Sequence, residues 1–102
     1  ESTRIKADLI SQSVDHSCAI FGGVLKCWGT NTNGQLGDGT TVTRATPVTI
    51  DGSTSYKYVA AGSTYTCGIT TAGVLKCWGA NGSGQLGDGT TVQRLSPVVV
   101  NA

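Results

Sequence analysis

The chain of 102 residues carries seven Lys or Arg against six Asp or Glu, for a net charge of +1. That balance excludes the basic footprint of a nucleic-acid-binding domain, and no apolar run reaches the roughly 18 residues of a membrane-spanning helix. The chain begins at Glu1 and contains no Met, so we expect a processed chain or a fragment rather than a primary translation product.

Glycine is frequent along the whole sequence. There are 15 Gly residues, many Thr and Ser, and no stretch with apolar side chains at helical spacing. This composition is typical of short β-strands joined by tight turns. The first strand is expected within residues 1–13. These residues align weakly with the segment that ends at residues 56–62, where we expect the corresponding strand of the second copy, so we interpret them as a divergent version of it.

Two β-hairpins follow at corresponding places in the chain. In the first, Gly22 and Gly23 form a two-residue loop between strands 18–21 and 24–27, as primed turns with positive φ require. In the second, the loop 71–73 is one residue longer and ends in glycine, which suits a three-residue hairpin loop. We therefore expect the inserted residue to be absorbed by a change of turn type, without a change of register.

The predicted registers set cysteine opposite cysteine in both hairpins. Pairing outward from each turn brings Cys18 to Cys27 and Cys67 to Cys77. Residues that face each other on a non-hydrogen-bonded rung have Cα atoms about 4.5 Å apart, which a disulfide can span. We predict these two disulfides, with reduced and buried cysteines as the alternative. A zinc site is not favoured, because no C-x-x-C or C…H spacing accompanies the cysteines.

A polar, glycine-rich loop comes after each hairpin and ends at a proline. Because proline cannot donate to a β-ladder, residues 47–50 and 97–100 are expected to be edge strands. Each half of the chain then supplies four short strands, which is the content of one propeller blade. We place the first repeat at residues 1–51 and the second at residues 52–102.

The two halves are copies of one unit. Residues 74–99 repeat residues 24–49 with 19 of 26 positions identical, and repeats of this length are typical of solenoids and propellers. Repeat arrays generally need about three units before a continuous core exists. We therefore predict an all-β fold of two four-stranded antiparallel propeller blades that are part of a propeller or of a blade-stacked assembly.

The motif W-G-x-N-x-x-G-Q-L-G-x-G occurs at residues 28–39 and 78–89 and is followed each time by S/T-P-V. It closely resembles the repeat of the regulator of chromosome condensation family, and the C-W-G strands resemble those of secreted bacterial members. The resemblance implies propeller blades, of which family members typically have seven. The positions that carry the motif are Trp28, Gly29, Asn31, Gly34, Gln35, Leu36, Gly37, Gly39, Trp78, Gly79, Asn81, Gly84, Gln85, Leu86, Gly87 and Gly89.

Two stretches of these loops match ligand motifs by their letters. Residues 82–87 read G-x-G-x-x-G like a dinucleotide fingerprint, but no helix follows to bind a phosphate. Residues 31–38 suggest a calcium loop, yet Val42 stands where the bidentate acid is needed. We expect turn chemistry, with no cofactor and no metal. The side chains expected to bond their own backbone are Asn31, Asn33, Asp38, Asn81 and Asp88.

Asp15, His16 and Ser17 have the letters of a hydrolase triad. Adjacent side chains on a strand point to opposite faces of the sheet, so these three cannot converge as nucleophile, base and orienter. His16 is the only histidine of the chain. The sequence therefore offers no candidate general base, and we predict that the protein is not an enzyme.

Five further side chains recur or carry a motif. We expect Trp28 and Trp78 to pack between blades, and a sugar-stacking role is the alternative. Arg44 and Arg94 each precede a proline and are interpreted either as solvated or as bridges to neighbouring subunits. Asn81 begins a glycosylation sequon that the first copy lacks.

A pair of blades leaves two apolar faces open, and such faces usually mark interfaces. The leading hypothesis is a non-enzymatic, secreted structural or interaction module that stacks blade on blade, with copies of itself or with further repeats of a longer chain, as a ring or a filament. A second hypothesis is a partner-binding propeller like the inhibitor or GTPase-exchange branches of the family, and a third is a lectin-like module. Disulfides imply an extracellular, cell-surface or periplasmic location.

Overall fold

The protein is described by a computed structural model that covers residues 9–100. Within this range no helix is long and apolar enough to cross a membrane. Eight strands form two antiparallel sheets, each with its strands in chain order. The first sheet contains β1 Leu9–Gln12, β2 His16–Phe21, β3 Val24–Gly29 and β4 Arg44–Ile50. The second contains β5 Tyr56–Ala61, β6 Tyr65–Thr70, β7 Leu75–Gly79 and β8 Arg94–Val99.

Both hairpins have the predicted registers. Gly22 and Gly23 form the first turn with φ of 57° and 88°, a left-handed backbone that glycine adopts without strain. The second turn ends at Gly73, with φ of 86°, and is closed by the N–H of Thr70 donating to the carbonyl of Val74 over 2.9 Å. The extra residue of the second copy therefore changes the turn and leaves the strand pairing intact.

The outer strands begin earlier than predicted. Arg44 pairs with Gly29 and Arg94 pairs with Gly79, so β4 and β8 start three residues before their prolines. In the first sheet the pairing is irregular between Cys27 and Gly29, and residues 45–47 lie opposite a single partner residue. This bulge accommodates a proline inside an edge strand, because its ladder position needs no donor.

Within the described residues, the first strand is shorter than the range 1–13 in which it was predicted. β1 spans Leu9–Gln12 and pairs with β2 along its whole length, from Leu9 opposite Ile20 to Gln12 opposite Ser17. The remainder of that prediction, residues 1–8, lies outside the described residues. β1 also contacts β5 of the second sheet, so the strand takes part in the contact between the sheets.

The hydrophobic core lies between the two sheets. On the first sheet, side chains from neighbouring rungs share one face and are almost fully buried, and the second sheet covers them with an aromatic pair. Tyr56 and Trp78 pack edge to face, with ring centroids 6.3 Å apart at 74°. The buried core residues are Cys18, Ile20, Leu25, Cys27, Leu36, Ile50, Tyr56, Val59 and Trp78.

Candidate interface site

The loop that follows β3 is organised around one buried amide, that of Asn31. Its Nδ2 donates to Asp38 Oδ1 at 3.1 Å, to the carbonyl of Thr40 at 2.9 Å and to the carbonyl of Val42 at 3.1 Å. Its Oδ1 accepts from the backbone N–H of Leu36 at 2.9 Å. One short side chain therefore ties together residues up to eleven positions away, which holds a loop without secondary structure in a single shape.

Asn33 does not play the part predicted for it. Its backbone N–H donates to Gln35 Oε1 at 2.8 Å, so the side chain that bonds the backbone here belongs to Gln35. The same contact recurs between Ser83 and Gln85 at 2.9 Å. The side chain at the position of Asn33 is thus free to vary between copies, whereas the glutamine two residues later is the same in both.

Each loop also contains an ion pair with its own arginine. Arg44 Nε lies 2.9 Å from Asp38 Oδ2, and Arg94 Nε lies 2.9 Å from Asp88 Oδ2. Partial burial raises the pKa of Asp38, but hydrogen bonds led by that from Thr40 outweigh burial, and the pKa lies below its usual value. The arginines close their own loops, and the bridge to neighbouring subunits remains one of the two interpretations of them.

The second loop has the same internal bonds. Asn81 Nδ2 donates to Asp88 Oδ1 at 3.1 Å and to the carbonyl of Thr90 at 3.1 Å, and Asn81 Oδ1 accepts from Leu86 N–H at 3.0 Å. The Asn81 side chain is 1% exposed and its nitrogen is occupied, so the sequon is closed to glycosylation in the folded chain. The N–H of Gly84 donates to the Asn81 carbonyl at 3.0 Å as part of a turn. Among residues 9–100 no three His, Cys, Asp or Glu side chains form a group that could hold a metal ion.

The first loop rests directly on the second sheet, and its glycines allow the contact. A Cβ on Gly37 would lie 2.6 Å from Trp78 Nε1, and one on Gly34 would lie 2.5 Å from Leu95 Cδ2. The N–H of Gly39 donates to the carbonyl of Leu95 at 2.8 Å. Any side chain at Gly37 would displace the indole, so the glycines of the motif are needed for the contact between blades as well as for the turns.

A buried chain of hydrogen bonds joins the two sheets next to this loop. The Thr66 hydroxyl donates to the carbonyl of Gln35 at 2.6 Å, and His16 Nε2 lies 2.8 Å from the same hydroxyl oxygen. Because the Thr66 proton is used, His16 Nε2 must be the donor, and its Nδ1 then accepts from Ser13 Oγ at 3.0 Å. Burial lowers the pKa of His16, and Asp15 opposes the change only in part. Both ring nitrogens are engaged, which leaves this imidazole no role as a general base.

Both predicted disulfides are present, in different surroundings. Cys18 and Cys27 are fully buried in the core with Cα atoms 4.1 Å apart, and no free cysteine remains in the chain. Cys67 and Cys77 have Cα atoms 4.0 Å apart in the second sheet, where Cys77 is 2% exposed. There Cys67 is only half-buried. The two bonds have the same local geometry and different access to solvent.

The tryptophans differ in the same way. Trp78 is fully buried, and its Nε1 has no hydrogen-bond acceptor among residues 9–100, whereas Trp28 is half-buried. A sugar-stacking platform in each blade is therefore wrong, because Trp78 has no open face. The packing role holds for Trp78.

Sequence reasoning missed a polar cluster on the linker between the sheets. Asp51, with φ of 53°, accepts from Tyr56 Oη at 2.8 Å and from Lys76 Nζ at 3.0 Å. The pKa of Tyr56 is raised, mainly by burial and to a lesser extent by the Asp51 carboxylate. The signal for this cluster is weak, since Lys76 lies 25 residues away and the only local cue is the Asp-Gly pair at residues 51–52.

Sheets of four antiparallel strands that pack face to face through a tryptophan and a glycine loop are blades of a β-propeller type. The model of the regulator of chromosome condensation (RCC1) repeat matches residues 23–69 and 73–102, and a second RCC1 repeat model matches residues 56–85. The chain belongs to the RCC1 repeat family. No curated protein sequence matches it.

Solved propellers show the same fold. Human WBSCR16 aligns with a TM-score of 0.84 and 23% identity, over 95% of this chain and 27% of that one. Prp20p of Saccharomyces cerevisiae aligns with a TM-score of 0.83 and 19% identity, over 98% of this chain and 26% of that one. Its structure was reported with its binding properties to Gsp1p and histones. Yeast RCC1 (Prp20) with Kap60 bound aligns with a TM-score of 0.84 and 19% identity, over 96% and 25%. The chain spans about a quarter of these proteins.

Proposed function

We propose that this chain is a non-enzymatic protein-interaction module that assembles through the faces of its blades, with copies of itself or with further repeats of the same kind. One observation carries the proposal. Leu25 and Leu75 occupy the same place in their repeats, yet Leu25 is 0% exposed and Leu75 is 39% exposed. The second blade covers the first, and within residues 9–100 no third blade covers the second.

The uncovered surface is apolar and continuous along the sheet. Ile69 and Leu75 face each other across one rung of the hairpin, and Cys67 and Val98 lie half-buried beside them. In the first blade the corresponding side chains form the core. Burial of apolar surface contributes about 25 cal/mol per Å², and a monomer with this face exposed lacks the stabilisation that the corresponding face of the first blade receives. Large exposed apolar patches usually mark interfaces.

The opposite end of the pair supports the same proposal. Trp28 is half-buried, whereas Trp78, its counterpart, is buried under the first loop. A stack of whole chains therefore presents an open face at each end, and these two faces differ. Such a head-to-tail contact closes into a ring with an even number of blades or continues as a filament. We keep residues 1–51 and 52–102 as the repeat units of that stack.

Two disulfides support an oxidising location, outside the cell or in a periplasm, since such bonds are rare in reducing compartments. The two bonds join cysteines nine and ten residues apart, and each is worth about 2–3 kcal/mol by the loop-entropy estimate. They stabilise blades that have little core of their own. The non-enzymatic part of the proposal is supported by His16, whose Nδ1 is bonded to Ser13 of its own blade and whose Nε2 is bonded to Thr66 of the other blade.

The test is the mass of the oxidised chain in solution. Light scattering after size exclusion is expected to give a multiple of 10.4 kDa that falls on dilution, and Leu75→Lys is expected to lower the mass by placing a charge on the open face. Val14→Lys is the matched control, because Val14 is exposed and lies between β1 and β2. A folded wild-type monomer at every concentration would rule self-assembly out.

A second candidate is the binding of a different protein partner. The solved propellers that this chain resembles include one studied for binding to Gsp1p and histones and one with Kap60 bound. A pull-down from the native source with the oxidised chain, set beside the same experiment with Leu75→Lys, separates the candidates. One stoichiometric partner retained by a monomeric chain would favour this second function.

A further inference from the structure

We infer that the partner at the open end is a second copy of this chain, whose first blade receives the loop 82–92 in the way that Trp78 and Leu95 receive the first loop within one chain. The inference rests on the proposed function and names its partner and contacts. It extends an interface already present inside the molecule, because the loop, the indole and the hydroxyl group of that interface have counterparts on the two open ends.

The donor loop has the same internal bonds as the first loop, but within residues 9–100 no blade lies beneath it. Its internal bonds from Asn81 reproduce those of Asn31. Gly87 has φ of +74°, and among the described residues a Cβ there would meet only Val100, at 3.5 Å. Gln85 is exposed, although its counterpart Gln35 is 1% exposed. The loop holds its docking shape before it docks.

The acceptor is the outer face of the first blade. Trp28 pairs with Ser17 across β2 and β3, as Trp78 pairs with Thr66 across β6 and β7. Both rungs therefore offer an indole beside a hydroxyl. Ala45 is exposed at the position where Leu95 is half-buried beneath the first loop.

Three contacts between copies follow from this correspondence. Gly87 of one copy lies on the indole of Trp28 of the other, and the Ser17 hydroxyl donates to the carbonyl of Gln85. The N–H of Gly89 donates to the carbonyl of Ala45. Two of the three use backbone atoms of the loop, so they do not depend on side chains that differ between the repeats.

The sequence differences between the two interfaces are compatible with this docking. Ala45 replaces Leu95, which gives the loop more room, and a Cβ on Gly84 meets nothing within 4 Å. Tyr65 stands where His16 stands in the first blade. The contact between copies is therefore built without a histidine, and we expect it to lack the titrating group of the internal interface.

The experiment uses two variants that damage opposite ends of the same chain. Gly87→Asn blocks the donor loop, and asparagine tolerates the left-handed backbone there. Ser17→Lys places a charge on the acceptor face and leaves the loop intact. Gly73→Asn is the matched control, since Gly73 has φ of +86° and open space around it in the turn between β6 and β7. Circular dichroism and free-thiol counts check that each variant is folded and oxidised.

Each blocked variant alone is expected to run as a monomer of 10.4 kDa, while Gly73→Asn assembles like the wild type. An equimolar mixture of the two blocked variants is expected to form a dimer and nothing larger, because one intact donor and one intact acceptor remain. Alkylation after mild reductant is expected to label Cys67 and Cys77 more slowly in the mixture than in either variant alone.

The outcomes separate this inference from the proposed function. If the wild type assembles and the blocked variants assemble equally well, the docking site is wrong and self-assembly stands. If the blocked variants are monomeric but their mixture is too, the contact does not run from loop to Trp28 and the inference is overturned. If the wild type is itself a monomer, self-assembly and the inference both fail.

Discussion

The loops that follow β3 and β7 have nearly the same sequence and the same internal hydrogen bonds, yet one is buried and the other is not. Gln35 is 1% exposed and Gly37 touches the Trp78 indole, whereas Gln85 is exposed and Gly87 is open. Loop shape is therefore a property of the repeat, because Asn31 and Asn81 organise each loop locally. Burial is a property of position in the stack, because within residues 9–100 only the first loop has a blade beneath it.

The strongest test of this comparison is a pair of leucine truncations. Leu25→Ala is expected to lower the free energy of unfolding by about 2–5 kcal/mol, since it opens a cavity in the core between the sheets. Leu75→Ala is expected to lower it by about 1 kcal/mol or less, because that side chain is already in contact with water. Urea denaturation of dilute protein measures both, and equal losses would mean that the second blade is covered as well as the first.

A second pair of variants probes the glycine contact. Gly37→Asn and Gly87→Asn place the same side chain at φ of +83° and +74°, so backbone strain is similar and small. Only the first variant meets Trp78. We expect Gly37→Asn to be less stable by about 1–3 kcal/mol, as for overpacked cores. Thermal unfolding followed by tryptophan fluorescence in a Trp28→Phe background, where Trp78 is the one emitter, reports the change, and an unaltered emission maximum in Gly37→Asn would contradict the contact.

A third pair tests what the copies share. Asn31→Ala and Asn81→Ala each leave the backbone N–H of Leu36 or Leu86 without its acceptor. We expect each variant to lose about 1–3 kcal/mol, the penalty for an unsatisfied buried group, with little difference between the two. Hydrogen exchange at those two amides gives the measurement. A large difference would show that docking, and not the amide, holds the first loop in shape.

The smallest expected effect is a dependence on pH that only the first copy has. The pKa of His16 is lowered in the folded chain, so the neutral ring stabilises the fold above the unfolded value of about 6.5. That stability is lost as the pH falls through about 6.5 toward the folded pKa. We expect a modest fall in stability between about pH 7 and pH 5.

The variant His16→Gln keeps a donor for Thr66 without a titrating ring and is expected to remove this dependence on pH. The lowered pKa values of Asp38 and Asp51 act only at more acidic pH, because carboxylates with depressed pKa values contribute stability that is present above about pH 4 and lost below it. Stability curves at about pH 5, 6 and 7 for the wild type and the variant separate the groups. A fall as steep in the variant as in the wild type would assign the effect to another residue.

Much of the architecture could be predicted because it is local. The pairing of Cys18 with Cys27 follows from a two-residue turn, and a three-residue turn keeps the second pair in register despite the insertion. The start of β4 at Arg44 could not be predicted in this way, since the bulge opposite Trp28 depends on how the loop returns to the sheet. The proline misled the prediction by marking the middle of the strand and not its start.

The residues of the candidate site could be predicted from the sequence, but most of their contacts could not. The motif glycines were expected to serve turns, and the structure adds that Gly34 and Gly37 admit Leu95 and Trp78. The chain from His16 through Thr66 to Gln35 joins residues 31 and 50 positions apart, and periodicity carries no information about such pairs. Asp51 and Lys76 were missed for the same reason.

By itself the sequence determined most of each blade: the inner strands, their hairpin registers, the disulfides and the loop motif, which arise from interactions between residues close together in the chain. Only the tertiary structure decided which of two equal faces is buried, because burial depends on what lies across a gap and not on the residues that line it. Each repeat contains both the loop and the face that can receive such a loop, and the stacking of one blade on the next determines which loop contacts which face.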